Sequence, residues 1–113
     1  MRSTLCPVLR MGAVKYVVFY ESAPDVMAKA PLHMEAHAAW IDPFEERGDL
    51  LDIGVFDDPQ VDGAMSIFAT REAAEEFVRG DPFVQHGVVA RWRILTWHSP
   101  RGQRDEDAGD EEE

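Results

Sequence analysis

The run YVVFY at residues 16–20 limits the possible folds of this chain more than any other feature. It lies between Lys15 and Glu21, is too short for a buried helix, and is rich in β-branched and aromatic side chains. A segment of that length and composition reads as a buried strand. Strand side chains alternate between the two faces of a sheet. Apolar residues in unbroken succession therefore need cover on both faces.

The following residues supply one cover. Ser22–Asp25 has loop chemistry, and from about Pro31 to Arg47 the pattern is helical. Leu32, Ala36, Ala39, Trp40 and Phe44 fall close to one face, with Glu35, Asp42, Glu45 and Glu46 mostly on the other. Gly48 closes the helix. Pro43 removes the bond to the Ala39 carbonyl, at roughly 3 kcal/mol in an ideal helix, which predicts a kink or break near Ile41. Leu50–Phe56 is a second strand, 57–63 a turn-rich link suited to a hairpin, and Ala64–Ala69 a third strand. Thr70, with Glu72 and Ala73 after it, reads as the N-cap of a second helix that turns Ala73, Ala74, Phe77 and Val78 inward. Gly80 stops that helix, and Pro82 biases Asp81 toward an extended conformation. Val88–Trp97 alternates in part and forms a fourth strand.

The order β-α-β-β-α-β is the ferredoxin-like, split-βαβ arrangement, an α+β fold with an antiparallel sheet and both helices on one face. The second face then needs a partner sheet, which predicts a homodimer. The domain is expected over residues 14–98, with 1–13 a flexible extension (Met11 being an alternative start to Met1) and 99–113 a disordered acidic tail.

Charge narrows the partners. The formal net charge is −11; seven of the 22 acids and two of the 11 bases lie in residues 101–113, leaving 15 acids against 9 bases in the body. A body still acidic without its tail argues against nucleic acid, whose binding rests on Lys and Arg neutralising phosphates. The tail aids solubility or, alternatively, recruits a basic partner. No apolar run is long enough to span a bilayer, and the first residues lack the apolar region of a signal peptide. Cys6 is the single cysteine, which excludes an intramolecular disulfide and suits a reducing cytoplasm.

Two stretches together resemble a known family. HMEAHAAWIDPFEERGDLLDIG resembles the helix-then-strand of the YciI-like (YCII-related) family, with a histidine early in the first helix and a glycine in the second strand. EAAEEFVRGDPFVQHGV resembles that family's most recognisable motif, an alanine-rich helix ending in Asp-Pro-Phe/Tyr with a glycine after it. The similarity covers residues 15–97. It implies a dimeric α/β barrel of ferredoxin-like subunits, and a pocket where the helix histidine and the Asp-Pro aspartate meet as a catalytic pair, here His37 and Asp81. It also implies cofactor-free chemistry, such as dehydrochlorination of aromatic substrates. Where many relatives carry an arginine shortly before the histidine, this chain has Pro31-Leu32-His33-Met34, so anion recognition by that arginine does not carry over.

A carboxylate on one ring nitrogen of His37 would fix its tautomer, leave the other nitrogen free as a base, and stabilise the imidazolium once a proton is taken. The plainer alternative is a buried histidine satisfied by an aspartate that ties two helices together. His33, one turn before His37, is a candidate binding residue at a pocket rim. A His33–His37–Asp81 zinc site is the weaker alternative, lacking a ligand thiol and an HExxH glutamate, and no metal is expected. His86 is a candidate border residue, and His98 is assigned no role. Ser66, a hydroxyl in an apolar strand, is a candidate ligand donor or a local backbone partner; no GxSxG elbow surrounds it. Gly54, where a bulky strand residue is expected, marks close approach of a ligand or a bulge. Phe83 is a candidate binding residue; with Trp40, Trp92 and Trp97 it would line an aromatic pocket or belong to core and interface. GxGxxG and GxxxxGK are absent, and no cofactor is expected.

Three functions compete. The first is a cofactor-independent lyase- or isomerase-like enzyme with a His37–Asp81 pair, acting on a small cyclic or aromatic substrate. The second is a non-catalytic dimeric module binding a small ligand or a protein. The third is a cofactor-free monooxygenase of the dimeric-barrel type. A cavity with His37 and Asp81 facing into it favours the first, and a filled core favours the second.

Overall fold

A computed structural model describes residues 14–100. The elements are β1 (Val14–Ser22), α1 (Val26–Glu46), β2 (Leu50–Val55), α2 (Pro59–Asp62), β3 (Ala64–Phe68), α3 (Arg71–Gly80), α4 (Pro82–Gln85) and β4 (Val89–His98). The four strands form one antiparallel sheet in the order β2-β3-β1-β4. This is the ferredoxin-like α+β fold, elaborated by two short helices. Residues 1–13 and the acidic stretch 101–113 lie outside the described residues. None of the described helices is long and apolar enough to cross a membrane.

YVVFY occupies the centre of β1, a strand paired on both sides, so its backbone groups are satisfied within the sheet. Its alternation divides the molecule. Val18 and Tyr20 face the helices and join Phe44 of α1, Phe68 of β3 and Phe77 of α3 in one buried cluster. Three phenylalanines form its centre: the Phe44 ring meets Phe77 edge-on at 5.2 Å and Phe68 edge-on at 6.3 Å, arrangements that suit the ring quadrupoles. On the other face Val17 is buried between its cross-strand neighbours Ile67 and Leu95. That face is apolar outward as well, with Leu95 41% and Trp97 48% exposed.

The first helix departs from expectation in two ways. It starts at Val26 and runs unbroken through both Pro31 and Pro43 to Glu46, so there is no break near Ile41. The carbonyls deprived of a partner belong to Met27 and Ala39, both exposed residues, so water is able to take those bonds. The inward face also differs. Leu32 is 75% exposed and Ala36 and Ala39 are exposed, while His33, His37, Trp40, Ile41 and Phe44 turn toward the body. Two histidines replace the apolar residues that the i, i+4 pattern suggested. The helix closes as expected at Gly48 (φ 82°), where Gly48 N–H donates to Glu45 O and Asp49 N–H to Phe44 O, the paired bonds of a Schellman stop.

The second long helix follows its sequence closely. Thr70 accepts from Ala73 N–H, and Ala73, Ala74, Phe77 and Val78 are buried. The link 57–63 does connect antiparallel neighbours, but it contains α2, capped by Asp58.

Candidate functional site

Asp81 lies between α3 and α4 with an extended backbone (φ −70°, ψ 121°), as a residue preceding proline prefers. It caps α4: its Oδ1 accepts the Phe83 N–H at 3.0 Å, and Pro82 occupies the first helical position, where a missing N–H costs nothing. Its side chain is also fully buried, at 0% exposure. A buried carboxylate is tolerated only with strong donors around it, and here they come from three elements. His37 Nδ1 lies 2.8 Å from Oδ1, and Tyr20 Oη donates to Oδ2 at 2.7 Å. Asp81 is therefore both the cap of a helix and the shared acceptor of His37 and Tyr20. With a carboxylate as acceptor, the Nδ1 of His37 carries the proton, and the lone pair of the neutral ring is on Nε2.

Packing holds the histidine in place. The His37 ring stacks on Phe83 at 3.8 Å with 3° between planes, and one turn earlier His33 stacks on His86 at 4.3 Å and 4°. Two α1 side chains at i, i+4 thus meet two from the α4 region at i, i+3, side by side. Next along α1, the Lys29 ammonium reaches the Gly87 carbonyl at 3.5 Å. The His37 side chain keeps 12% of its surface exposed, so the site lies at the margin of the core.

Beyond His37, Trp40 donates its indole N–H to Phe77 O at 2.9 Å, satisfying a carbonyl in the last turn of α3. Gly80 passes directly over that indole; a Cβ at residue 80 would overlap the six-membered ring. The glycine that ends α3 is thus also what allows α3 to approach α1 and bring Asp81 to His37.

Tyr20 is the member of this group that the sequence reading passed over. Its signal is visible in retrospect: it is two residues from Val18 on the helix-facing side of β1, where a phenol needs a partner. Burial, and then the Asp81 carboxylate beside it, push its hydroxyl well above the ordinary tyrosine range, so it stays a donor.

The other candidates divide between two places. His33, His86 and Phe83 adjoin His37. Ser66 is buried on the helix-facing side of β3, opposite Val18 and Ile53. Gly54 pairs with Met65 on the opposite face, with nothing within 4 Å of where its Cβ would be. Trp92 and Trp97 are exposed on β4, away from Trp40. An open cleft of about 780 Å³ at one end of the sheet is lined by Phe19, Tyr20, Phe56, Arg91, Trp92 and Arg93 among others. A smaller one of about 190 Å³ runs past Gly54 and Met65. Neither is lined by His37 or Asp81. No group of three or more His, Cys, Asp or Glu among the described residues is placed to share a metal.

Known proteins match this chain as follows. The family model of the YCII-related domain matches residues 14–98. Among solved structures, 5-chloro-2-hydroxyhydroquinone dehydrochlorinase (TftG) from Burkholderia phenoliruptrix AC1100, in complex with 2,5-dihydroxybenzoquinone, is similar at 20% identity, with a TM-score of 0.60 over 74% of this chain and 92% of that one. A conserved protein from Methanosarcina mazei Go1 is similar at 14% identity, with a TM-score of 0.49 over 81% of this chain and 97% of that one. No curated protein matches. At 20% identity the similarity to the dehydrochlorinase supports the fold alone.

Proposed function

The chain belongs to the YCII-related domain family, and from that premise we propose that it is a cofactor-independent acid/base catalyst acting on a small cyclic or aromatic substrate. His37 is the base and Asp81 its orienting carboxylate. The observation that carries this is the 2.8 Å contact between His37 Nδ1 and a fully buried Asp81. It fixes the tautomer, leaves Nε2 with its lone pair, and provides a counter-charge for the imidazolium. In the reaction, Nε2 takes a proton from a hydroxyl or an acidic carbon. The electron pair left behind expels a leaving anion or returns to a neighbouring carbon, where the same proton is delivered. Either way the proton, electron pair and leaving group balance without an external oxidant. The dehydrochlorinase of similar fold acts on a chlorinated hydroquinone, which supports halogenated or hydroxylated aromatics as the first substrates to try.

The working form in this reading is a dimer in a reducing cytoplasm. The apolar outer face with Leu95 and Trp97 exposed on it supports the dimer, and the single cysteine supports the compartment.

The open cleft lined by Phe19, Tyr20, Phe56 and Trp92 supports a second reading, a dimeric module that binds a small ligand or protein there without catalysis. Turnover assays on a panel of chlorinated and hydroxylated phenols and quinols, with wild-type protein and with His37→Ala, separate the two. Activity lost in His37→Ala is the enzyme's result. Ligand binding that survives His37→Ala, with no turnover across the panel, is the module's result.

A further inference from the structure

We propose that Tyr20 is the positioning residue of the His37–Asp81 pair: by holding Oδ2 of Asp81, it keeps the proton of neutral His37 on Nδ1. For its consequence in catalysis this rests on the reading of His37 as a base, but the effect on the ring is a property of the resting protein.

The terminal torsion of an aspartate is broad and two-fold, so a carboxylate held at one oxygen still swings. In Asp81, Oδ1 accepts both the Phe83 amide and His37, while Oδ2 has Tyr20. Without that phenol, Oδ2 is a charged oxygen in a fully buried side chain with no donor, a state that costs more than an ordinary hydrogen bond yields. The carboxylate then turns to share its Oδ1 donors, the His37 contact loosens, and the imidazole proton is released to distribute between its nitrogens.

Tyr20 is built to prevent this. It is buried within the core cluster, and its backbone lies near the C-terminal end of β1, paired on both sides, with Ala64 of β3 and Trp92 of β4. Gly63 lies so close that a Cβ there would overlap the Tyr20 carbonyl, so the strand is clamped at this residue. The phenol thus comes from a strand paired on both sides, whereas Asp81 comes from the junction of two helices.

The test is the ¹⁵N and imidazole N–H spectrum of His37 in the resting protein, in wild type, Tyr20→Phe, Asp81→Asn and the double variant. The expected result is a roughly tenfold shift of the tautomer ratio toward Nε2–H in Tyr20→Phe, the size of one hydrogen bond to a charged group. In the Asp81→Asn background, Tyr20→Phe should add nothing. A wild-type tautomer ratio in folded Tyr20→Phe overturns the proposal, because a packing role alone would leave the ring unaffected. If Tyr20→Phe does not fold, 3-fluorotyrosine is incorporated into Tyr16→Phe protein, where Tyr20 is the only tyrosine. A displaced His37 N–H resonance supports the proposal, and an unmoved one overturns it. The catalytic reading fails separately: full turnover by His37→Ala removes the base without touching the tautomer result.

Discussion

Gly80 rests on the indole of Trp40 with no space for a Cβ between them. That contact sets the distance between α1 and the end of α3, and the next residue, Asp81, meets a side chain one turn back on α1. The candidate site is thus a by-product of how closely two helices pack. Gly80→Ala should destabilise the protein by about 1–3 kcal/mol, as overpacking does, and also disturb the His37 environment. Urea unfolding with tryptophan fluorescence, alongside the His37 ring resonances, measures both; wild-type values for both would contradict the packing account.

Asp81→Asn preserves volume but replaces an acceptor with an amide that faces donors. A loss of about 3 kcal/mol is expected, in the range for breaking a buried charged pair. His37→Ala should cost less, about 1–2 kcal/mol, because the ring lies at the margin and the Tyr20 and Phe83 bonds remain. Chemical denaturation at neutral pH ranks the two; the reverse order would mean that the carboxylate is not the hub.

Tyr20 gives the protein an alkaline limit. Its folded hydroxyl is held above the ordinary range, so past about pH 10 the unfolded chain releases a proton that the native chain retains. The native state then binds more protons, and stability falls by about 1.4 kcal/mol per pH unit above that point, having been fully present below it. Tyr20→Phe should start less stable at neutral pH and lack this component of the decline. Denaturation midpoints between pH 8 and pH 12 show whether the two curves converge.

Leu95 and Trp97 lie on the sheet face that carries no helix. If a second copy covers that face, Leu95→Glu and Trp97→Glu should each convert a dimer to a monomer, with helical circular dichroism intact. Light scattering after gel filtration gives the mass; a wild-type monomer would remove the sheet-to-sheet assembly from the proposed function.

Much of the fold was legible because its signals are local. YVVFY identified the central strand, and Thr70 and Gly48 marked helix ends through bonds to near neighbours. The first helix was harder. Its inward face carries His33 and His37 while Leu32, Ala36 and Ala39 point outward, so hydrophobic periodicity placed Trp40 and Phe44 correctly but missed the residues before them. The polar residues are inside because their partners come from α4, and no pattern within the helix records that. The prolines misled for a related reason: the bonds they remove belong to exposed residues. His37 and Asp81 were singled out through family resemblance. Tyr20 was not, because its need for a partner is settled by a residue 61 positions away.

The doubled role of Asp81, as cap of α4 and as acceptor for His37 and Tyr20, also limits how the chain can change under mutation. A lineage that no longer needed the histidine pair could not simply drift at residue 81, because the same change would undo a turn and strand a buried phenol. Loss of the site would have to begin at His37, the cheaper member. If the proposed chemistry holds, relatives that have abandoned it would keep the aspartate long after the histidine is gone, so an aspartate by itself is poor testimony to activity, and a histidine beside it is better.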